Sequence, residues 1–329
     1  MRAVMYDRYG GPERLKTAEV DRPEPGPGEV RVGVEAVGLN AYDWRMLSGT
    51  PFLVRLRNGL FRPKNRILGA DVAGVVEATG ARATRFRVGD CVFGCLEGSG
   101  ASGLAAGGLA ESVAARETGL ALMPDGMTFA EAAALPMAGG TALIAVRDSG
   151  AVTAGMDVLV NGAAGGVGTF AVQIGKALGA RVTGVCAANH AELVSGLGAG
   201  AVVDYRAEDF TSARESWDVI VDVAASRSVR DLRKGLRPGG VIVAVGFSSL
   251  RRIARFGLSA LNKRASKRVA MLAVDNWNDD HVRVLAEMVQ AGQVAPVIDR
   301  ELDWAQVQDA FAYLAEGHAG GKIIVLVGS

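Results

Sequence analysis

The segment Asn161–Gly168, NGAAGGVG, combines residue types and a spacing suited to holding a phosphate. It follows the short β-branched run VLVN and precedes Val167, Ala171, Ile174 and Leu178 at helical spacing. As a dinucleotide fingerprint it reads Ala163-x-Gly165-x-x-Gly168, with alanine in the first glycine place. Gly165 lets backbone approach a pyrophosphate, and Gly168 lets the helix pack close to the strand. The amides of Ala164, Gly165, Gly166 and Val167 open that helix, where the partial positive charge favours an anion. A tight turn alone also calls for glycine, but the strand before and the helix after favour a dinucleotide.

An acidic residue about 20 positions further on would hold the ribose 2′-hydroxyl of NAD. That place reads Cys186-Ala187-Ala188-Asn189-His190, with no carboxylate to repel a 2′-phosphate. NADPH is therefore the expected cofactor, with NADH as the alternative because no Arg or Lys stands there. Ala187 ends the strand at the ribose. His190 is either a phosphate contact or a solvated loop residue. Tyr205, closing the next strand, is either an adenine or phosphate neighbour or an edge tyrosine.

These groups need a frame, and 329 residues suffice for two domains. The 49% apolar content supports a sizeable core, and Lys plus Arg at 36 balance Asp plus Glu at 35. A net charge of +1 gives no support to a nucleic-acid partner. Three cysteines are too few for a disulfide framework and point to a reducing compartment. Cys91 and Cys95 form a lone Cys-x3-Cys pair far from Cys186, too few thiolates for a four-Cys zinc site. Cys91, on an apolar strand, reads as a small buried hydrophobe. The start, MRAVMYDRYG, carries no signal-type apolar region, and the expected location is cytoplasmic.

The first 125 residues read as β-rich, with strands over Glu29–Val37 and Val72–Ala78 and a Gly/Ala/Ser loop over 98–108. From about residue 129, short β-branched runs at 158–163, 181–186, 201–205, 217–223 and 240–247 alternate with helical or turn segments. That alternation predicts a doubly wound parallel sheet. Amphipathic helices over 281–291 and 304–315 and the strand KIIVLV over 322–327 are too few for a domain of their own. They are expected to return to the β-rich part, giving one domain from 1–128 with 275–329 and another from 129–274.

Taken together, RPEPGPGEVRVGVEAVGLNAYDW (22–44), ILGADVAGVVEATG (67–80), RVGDCVFG (87–94), AAALPMAGGTAL (132–143), the glycine segment and GHAGGKIIV (317–325) resemble the medium-chain dehydrogenase/reductase superfamily. More narrowly they resemble its zinc-free quinone oxidoreductase-like branch. The resemblance implies an α/β protein: a GroES-like β-rich catalytic domain, a Rossmann dinucleotide domain, and a cleft between them. The zinc-dependent branch has a cysteine in the loop where this chain has Asn40-Ala41-Tyr42-Asp43, a Gly-His-Glu where it has Gly69-Ala70-Asp71, and a four-Cys lobe that is missing. No catalytic zinc is expected from such donors. By the same resemblance Asn40 and Asp43 line the nicotinamide and substrate cleft, Thr141 lies near the nicotinamide, and Val245, Gly246 and Phe247 flank it.

Bland roles compete for these residues. Asn40 is also a turn residue, and Asp43 suits the N-cap of a helix starting at Trp44. Tyr42 is either a proton donor or a packing aromatic. The stretches Arg55–Arg66 and Arg251–Arg268 are basic and free of acids, and the resemblance puts both near the cleft mouth. Each suits a solvated face, a funnel for an anionic or amphiphilic substrate, or a membrane-surface contact. The expected activity is zinc-independent hydride transfer from NADPH to a small-molecule quinone or α,β-unsaturated carbonyl. The alternatives are a dedicated enoyl reductase with one bulky substrate, or a dinucleotide-binding scaffold or sensor without turnover. A homodimer through the sheet edge near Val269–Val274 is the family-level expectation.

Overall fold

Alternating apolar residues make Glu29–Leu39 a long strand, with Val30, Val32 and Val34 inside. The computed structural model describes residues 1–96, 107–246, 250–262, 266–272 and 279–328, without the side chains of Arg57, Leu250 and Asp279. The Gly/Ala/Ser loop expected over 98–108 therefore falls almost wholly outside the described residues, as does Phe247.

Two units emerge. The first comprises Met1–Ala138 with the described parts of Trp277–Gln290 and Pro296–Ser329. Its main sheet runs in the order Ile298–Asp303, Lys322–Leu326, Glu29–Leu39, Asp71–Thr79, Cys91–Cys95, Leu120–Leu122, and Ser112–Arg116 also pairs with Glu29–Leu39. The chain end thus inserts at the heart of the β-rich unit, Lys322–Leu326 lying antiparallel to Glu29–Leu39. Its neighbour Ile298–Asp303 pairs with it in parallel. That strand, IDRELD, has no apolar alternation that would betray it. The core gathers Val32, Leu47, Ile67, Phe311 and Ile323. Along Cys91–Cys95 the exposed end is Cys91 and the buried one Cys95, the reverse of the expectation for Cys91, because the strand enters the core only after its first residue.

The first unit extends past 128 because helix Phe129–Ala134 belongs to it. Thr128 and Glu131 form its capping box, and the helix packs so tightly on the sheet that a Cβ at Gly38 would collide with the Ala133 carbonyl. The second unit comprises Gly139–Asn276, as far as it is described, with Ala291–Ala295. Ala295 returns to it through Gln173, whose side chain donates to the Ala295 carbonyl and accepts from its amide, both at 2.9 Å.

The second unit is built on a parallel sheet in the order Ala201–Asp204, Arg181–Cys186, Asp157–Asn161, Trp217–Asp222, Leu236–Ala244, Arg268–Met271. Strand order reverses at Asp157–Asn161, the point where open α/β sheets bind ligands beyond their carboxyl ends. Among the described residues no helix is long and apolar enough to cross a membrane.

Candidate active site

The turn after Asp157–Asn161 has the geometry that a pyrophosphate requires. Gly162 sits at φ +91°, a conformation that disfavours side chains. A Cβ at Gly168 would collide with the Gly162 carbonyl, so this glycine is what lets helix Gly166–Ala177 cross the turn closely. Gly165 differs. It is the helix N-cap in extended backbone, and a Cβ there would find only the Gly162 carbonyl, 3.7 Å away. The space in front of Gly165 and the first amides is thus open, and the residues fit a dinucleotide phosphate.

At the carboxyl ends of the next two strands, the Tyr205 amide donates to the Cys186 carbonyl at 3.2 Å, bringing Ala187 and Tyr205 into one edge. Ala187 is buried, His190 half-buried, and His190 Nε2 lies 3.2 Å from Asn189 Nδ2. Beside Tyr205 stands Arg206, its guanidinium carbon 5.6 Å from the ring centroid. Arg206 lies outside 186–190, the stretch in which the sequence was read for a cation. The signal was present one residue past the next strand, in VVDYR. Val245 and Gly246 are anchored at the end of Leu236–Ala244, their amides pointing to the Asp222 carbonyl at 3.1 and 3.3 Å. Thr141 is half-buried on helix Pro136–Leu143, which passes into a π-helical stretch, Ile144–Ser149.

In the first unit, helix Ala41–Ser48 begins at Ala41, with Asn40 as its N-cap, and not at Trp44. Asp43 is its third residue, and its Oδ2 accepts the Asn40 amide at 2.9 Å. The pattern Asn40-x-x-Asp43 resembles a capping box in the sequence, which would have placed the start correctly. Asp43 Oδ1 takes the amides of Gly69 and Ala70 at 2.9 and 3.2 Å. This carboxylate therefore ties the helix start to the strand Asp71–Thr79. Burial pushes its pKa up to about 6 although these hydrogen bonds oppose the rise.

Asn40 is equally committed. Its Nδ2 donates to the Gly38 carbonyl at 3.1 Å and to Asp71 Oδ2 at 2.9 Å, which uses both amide hydrogens. Its Oδ1 accepts from Lys322 Nζ at 2.6 Å. Lys322 is 2% exposed and Asp71 fully buried, yet their charged atoms lie 3.4 Å apart, and Lys322 also donates to the Leu39 carbonyl at 3.0 Å. Asp71 further accepts the Met137 amide at 3.0 and 3.2 Å. Burial raises the Asp71 pKa, with the Lys322 charge acting against it. The sequence reading missed Asp71 and Lys322 as partners of Asn40. Tyr42 is half-buried on the same helix. The basic stretch Arg55–Arg66 runs through helix Leu53–Asn58 and leaves Leu56 and Phe61 exposed to solvent.

A parallel sheet with a glycine turn that fits a phosphate at its switch point, together with a GroES-like β unit, defines the class as a two-domain oxidoreductase. Residues 26–125 match the alcohol dehydrogenase GroES-like domain family, and residues 197–325 match the zinc-binding dehydrogenase family. A chloroplastic quinone oxidoreductase of Triphysaria versicolor is 32% identical over 99% of this chain and 98% of its own. An NADPH-dependent alkenal/one oxidoreductase of Arabidopsis thaliana is 31% identical over 99% of this chain and 79% of its own. The solved quinone oxidoreductase of Coxiella burnetii superimposes with a TM-score of 0.86 at 27% identity, covering 99% of both chains. The chain belongs to the medium-chain dehydrogenase/reductase superfamily, in its quinone oxidoreductase-like branch.

The name of the second matching family raises the question of zinc. The positions that carry thiolate and imidazole in the zinc-dependent branch hold an amide, Asn40, and a methyl, Ala70. The Asn40 oxygen already faces the Lys322 ammonium at 2.6 Å. A divalent cation beside that ammonium would be repelled, and an amide with an aliphatic neighbour is a poor zinc donor set. The residues do not fit a zinc ion.

Proposed function

We propose that the chain is a zinc-independent reductase that prefers NADPH and reduces a quinone or an α,β-unsaturated carbonyl. The observation that carries the cofactor preference is the edge formed by Ala187, His190, Tyr205 and Arg206. Arg206 brings a cation to this edge, and 187–190, where NAD-selective folds place an acid, carry none; the carboxylate on the edge, Asp204, accepts the Arg206 amide at 3.0 Å. The acceptor class is supported by the two relatives named for quinones and for alkenals and enones.

In this reading the amides of Ala164, Gly166 and Val167 hold the pyrophosphate, the Gly165 amide being taken by the Gly162 carbonyl at 3.3 Å, and Arg206, Tyr205 and His190 face the 2′-phosphate. Thr141, Val245 and Gly246 position the nicotinamide end. When bound, the reduced nicotinamide supplies the hydride. Tyr42 donates a hydrogen bond to the acceptor oxygen as negative charge builds there. Asn40 acts as a positioning residue, because both its amide hydrogens are already engaged by Gly38 and Asp71. The reading includes a cytoplasmic location and a homodimer through the edge strand Arg268–Met271.

The test is oxidation of NADPH and of NADH with a panel of quinones and enones, using chelator-treated, dialysed protein of measured metal content. NADPH should be favoured by about tenfold to a hundredfold in kcat/KM, equivalent to about 1.4–2.7 kcal/mol. Equal or better use of NADH, or activity lost with zinc and restored by it, overturns the reading.

A further inference from the structure

The second unit contains a pocket of about 910 Å³ whose lining includes none of the residues assigned to the dinucleotide. Arg227, Arg230 and Arg233 line it from the segment around helix Val229–Gly235, and Arg251, Arg252 and Arg255 from helix Leu250–Ala260. Such a volume lies within the range of roughly 300–1,000 Å³ that takes small molecules.

Guanidinium groups gathered in one concavity repel one another unless anions intervene. The carboxylates at hand cover little of this charge. Asp222 pairs with Arg252 at 2.5 Å, and Asp209 with Arg227 at 3.5 Å. Asp231 is committed to Lys234 at 2.7 Å and to Ser228 at 2.6 Å. Among the described residues, no carboxylate lies within ion-pair distance of Arg230, Arg233, Arg251 or Arg255. Arg233 Nε is buried without a hydrogen-bond partner among the described residues, which a solvated basic face would not produce. Arg252 is held rigidly. Its side chain is 12% exposed, its guanidinium carbon lies 4.6 Å from the Phe256 ring centroid, and Asp222 fixes its other side.

We propose that this pocket binds a phosphate-bearing ligand with an apolar portion, at a site separate from the dinucleotide turn. Planar guanidinium forks match phosphate oxygens in pairs, which makes arginine the fitting residue for such a group. Val229 and Phe256 supply an apolar wall, and Leu258, 70% exposed, continues it to the rim. A soluble phosphorylated molecule and a phospholipid headgroup share this chemistry.

Titration calorimetry with inorganic pyrophosphate, at low ionic strength and with and without saturating NADPH, tests the site. With NADPH saturating the glycine turn, one pyrophosphate should still bind per chain. The double variant Arg230→Gln/Arg255→Gln alters two exposed residues, so folding is retained and can be verified by thermal melting. It should weaken pyrophosphate at least about tenfold, as expected for lost charged hydrogen bonds, and leave NADPH affinity unchanged. Sedimentation with phosphatidylglycerol vesicles separates the sources. Vesicle binding that pyrophosphate reverses assigns the site to a lipid headgroup, and pyrophosphate binding without vesicle binding assigns it to a free molecule. The proposal is overturned if no pyrophosphate binds at millimolar concentration once NADPH is saturating, or if the double variant then binds it equally well.

Discussion

Lys322 Nζ donates to the amide oxygen of Asn40 at 2.6 Å across 282 residues of sequence, inside the core of the β-rich unit. The contact places a buried positive charge where the zinc-dependent branch of the superfamily uses thiolate and imidazole to hold a metal. It also explains why Asp71, fully buried, is tolerated: Lys322 and Asn40 both reach its Oδ2.

Removing that charge should be costly. Lys322→Met leaves Asp71 buried without its counter-ion, and breaking a buried pair typically costs about 3–5 kcal/mol. Lys322→Met combined with Asp71→Asn should recover a large part of the loss, because the uncompensated charge is gone. Urea denaturation of the single and double variants measures both effects. A single variant as stable as the parent would show that the pair contributes nothing.

Asp43 sets an acid-range dependence of unusual sign. Its folded pKa is raised from 3.8 to about 6, so between these values the folded state holds the proton more tightly than the unfolded one. Its contribution to stability is therefore full below 3.8 and falls as pH rises to about 6. The loss is at most about 3 kcal/mol at 1.36 kcal/mol per pH unit. Asp71 is shifted in the same direction. Denaturation midpoints taken from pH 4 to pH 7 should show a smaller decline for Asp43→Asn than for the parent, and identical slopes would refute the assignment.

Gly165→Asp should separate folding from cofactor binding. The position is a helix N-cap with open space before it, where Asp is a favoured residue, so thermal melting should be unchanged or improved. The new carboxylate would face the pyrophosphate, and NADPH affinity by fluorescence titration should fall by about a hundredfold or more, on the scale of about 2.7 kcal/mol. Gly168→Ala should do the opposite and lower the melting temperature, because its Cβ meets the Gly162 carbonyl. Unchanged NADPH affinity in Gly165→Asp would rule out this placement of the pyrophosphate.

Arg206→Ala should reduce kcat/KM for NADPH by about tenfold while leaving NADH unaffected, since a charged hydrogen bond is worth about 1.5–3 kcal/mol when fully formed and this side chain meets solvent. Parallel losses with both cofactors would mean that Arg206 does not face the 2′-phosphate.

Tyr42→Phe and Asn40→Ala should behave differently in single-turnover NADPH oxidation. Losing a hydrogen bond to an already electrophilic acceptor should cost about tenfold to a hundredfold, below the 10²–10³ of a fully dependent oxyanion. For Tyr42→Phe that loss should fall on the chemical step, with NADPH affinity retained. Asn40→Ala should lower stability as well, because it strips partners from Lys322 and Asp71. A fall of four or more orders from either change, with NADPH still bound, would reveal a committed acid–base mechanism.

Local chemistry determined a good deal of this protein from its sequence. Glycine spacing between a β-branched run and a helical one was enough to place a tight turn between strand Asp157–Asn161 and helix Gly166–Ala177, because such a turn is made of neighbours. The alternation of strands and helices was likewise enough for the parallel sheet. The tertiary structure alone decided what each polar residue of the β-rich unit faces. Asn40 and Asp43 read as cleft residues, yet both lie in a buried network whose members come from positions 40, 43, 71, 137 and 322. Lys322 looked like the first residue of an apolar strand, and Arg255 stood in a basic stretch equally suited to a solvated face or a funnel for an anion. A charge acquires its meaning from what burial brings against it, and the partners here are dozens to hundreds of residues apart. No local pattern encodes that distance; packing the chain end into the first sheet does.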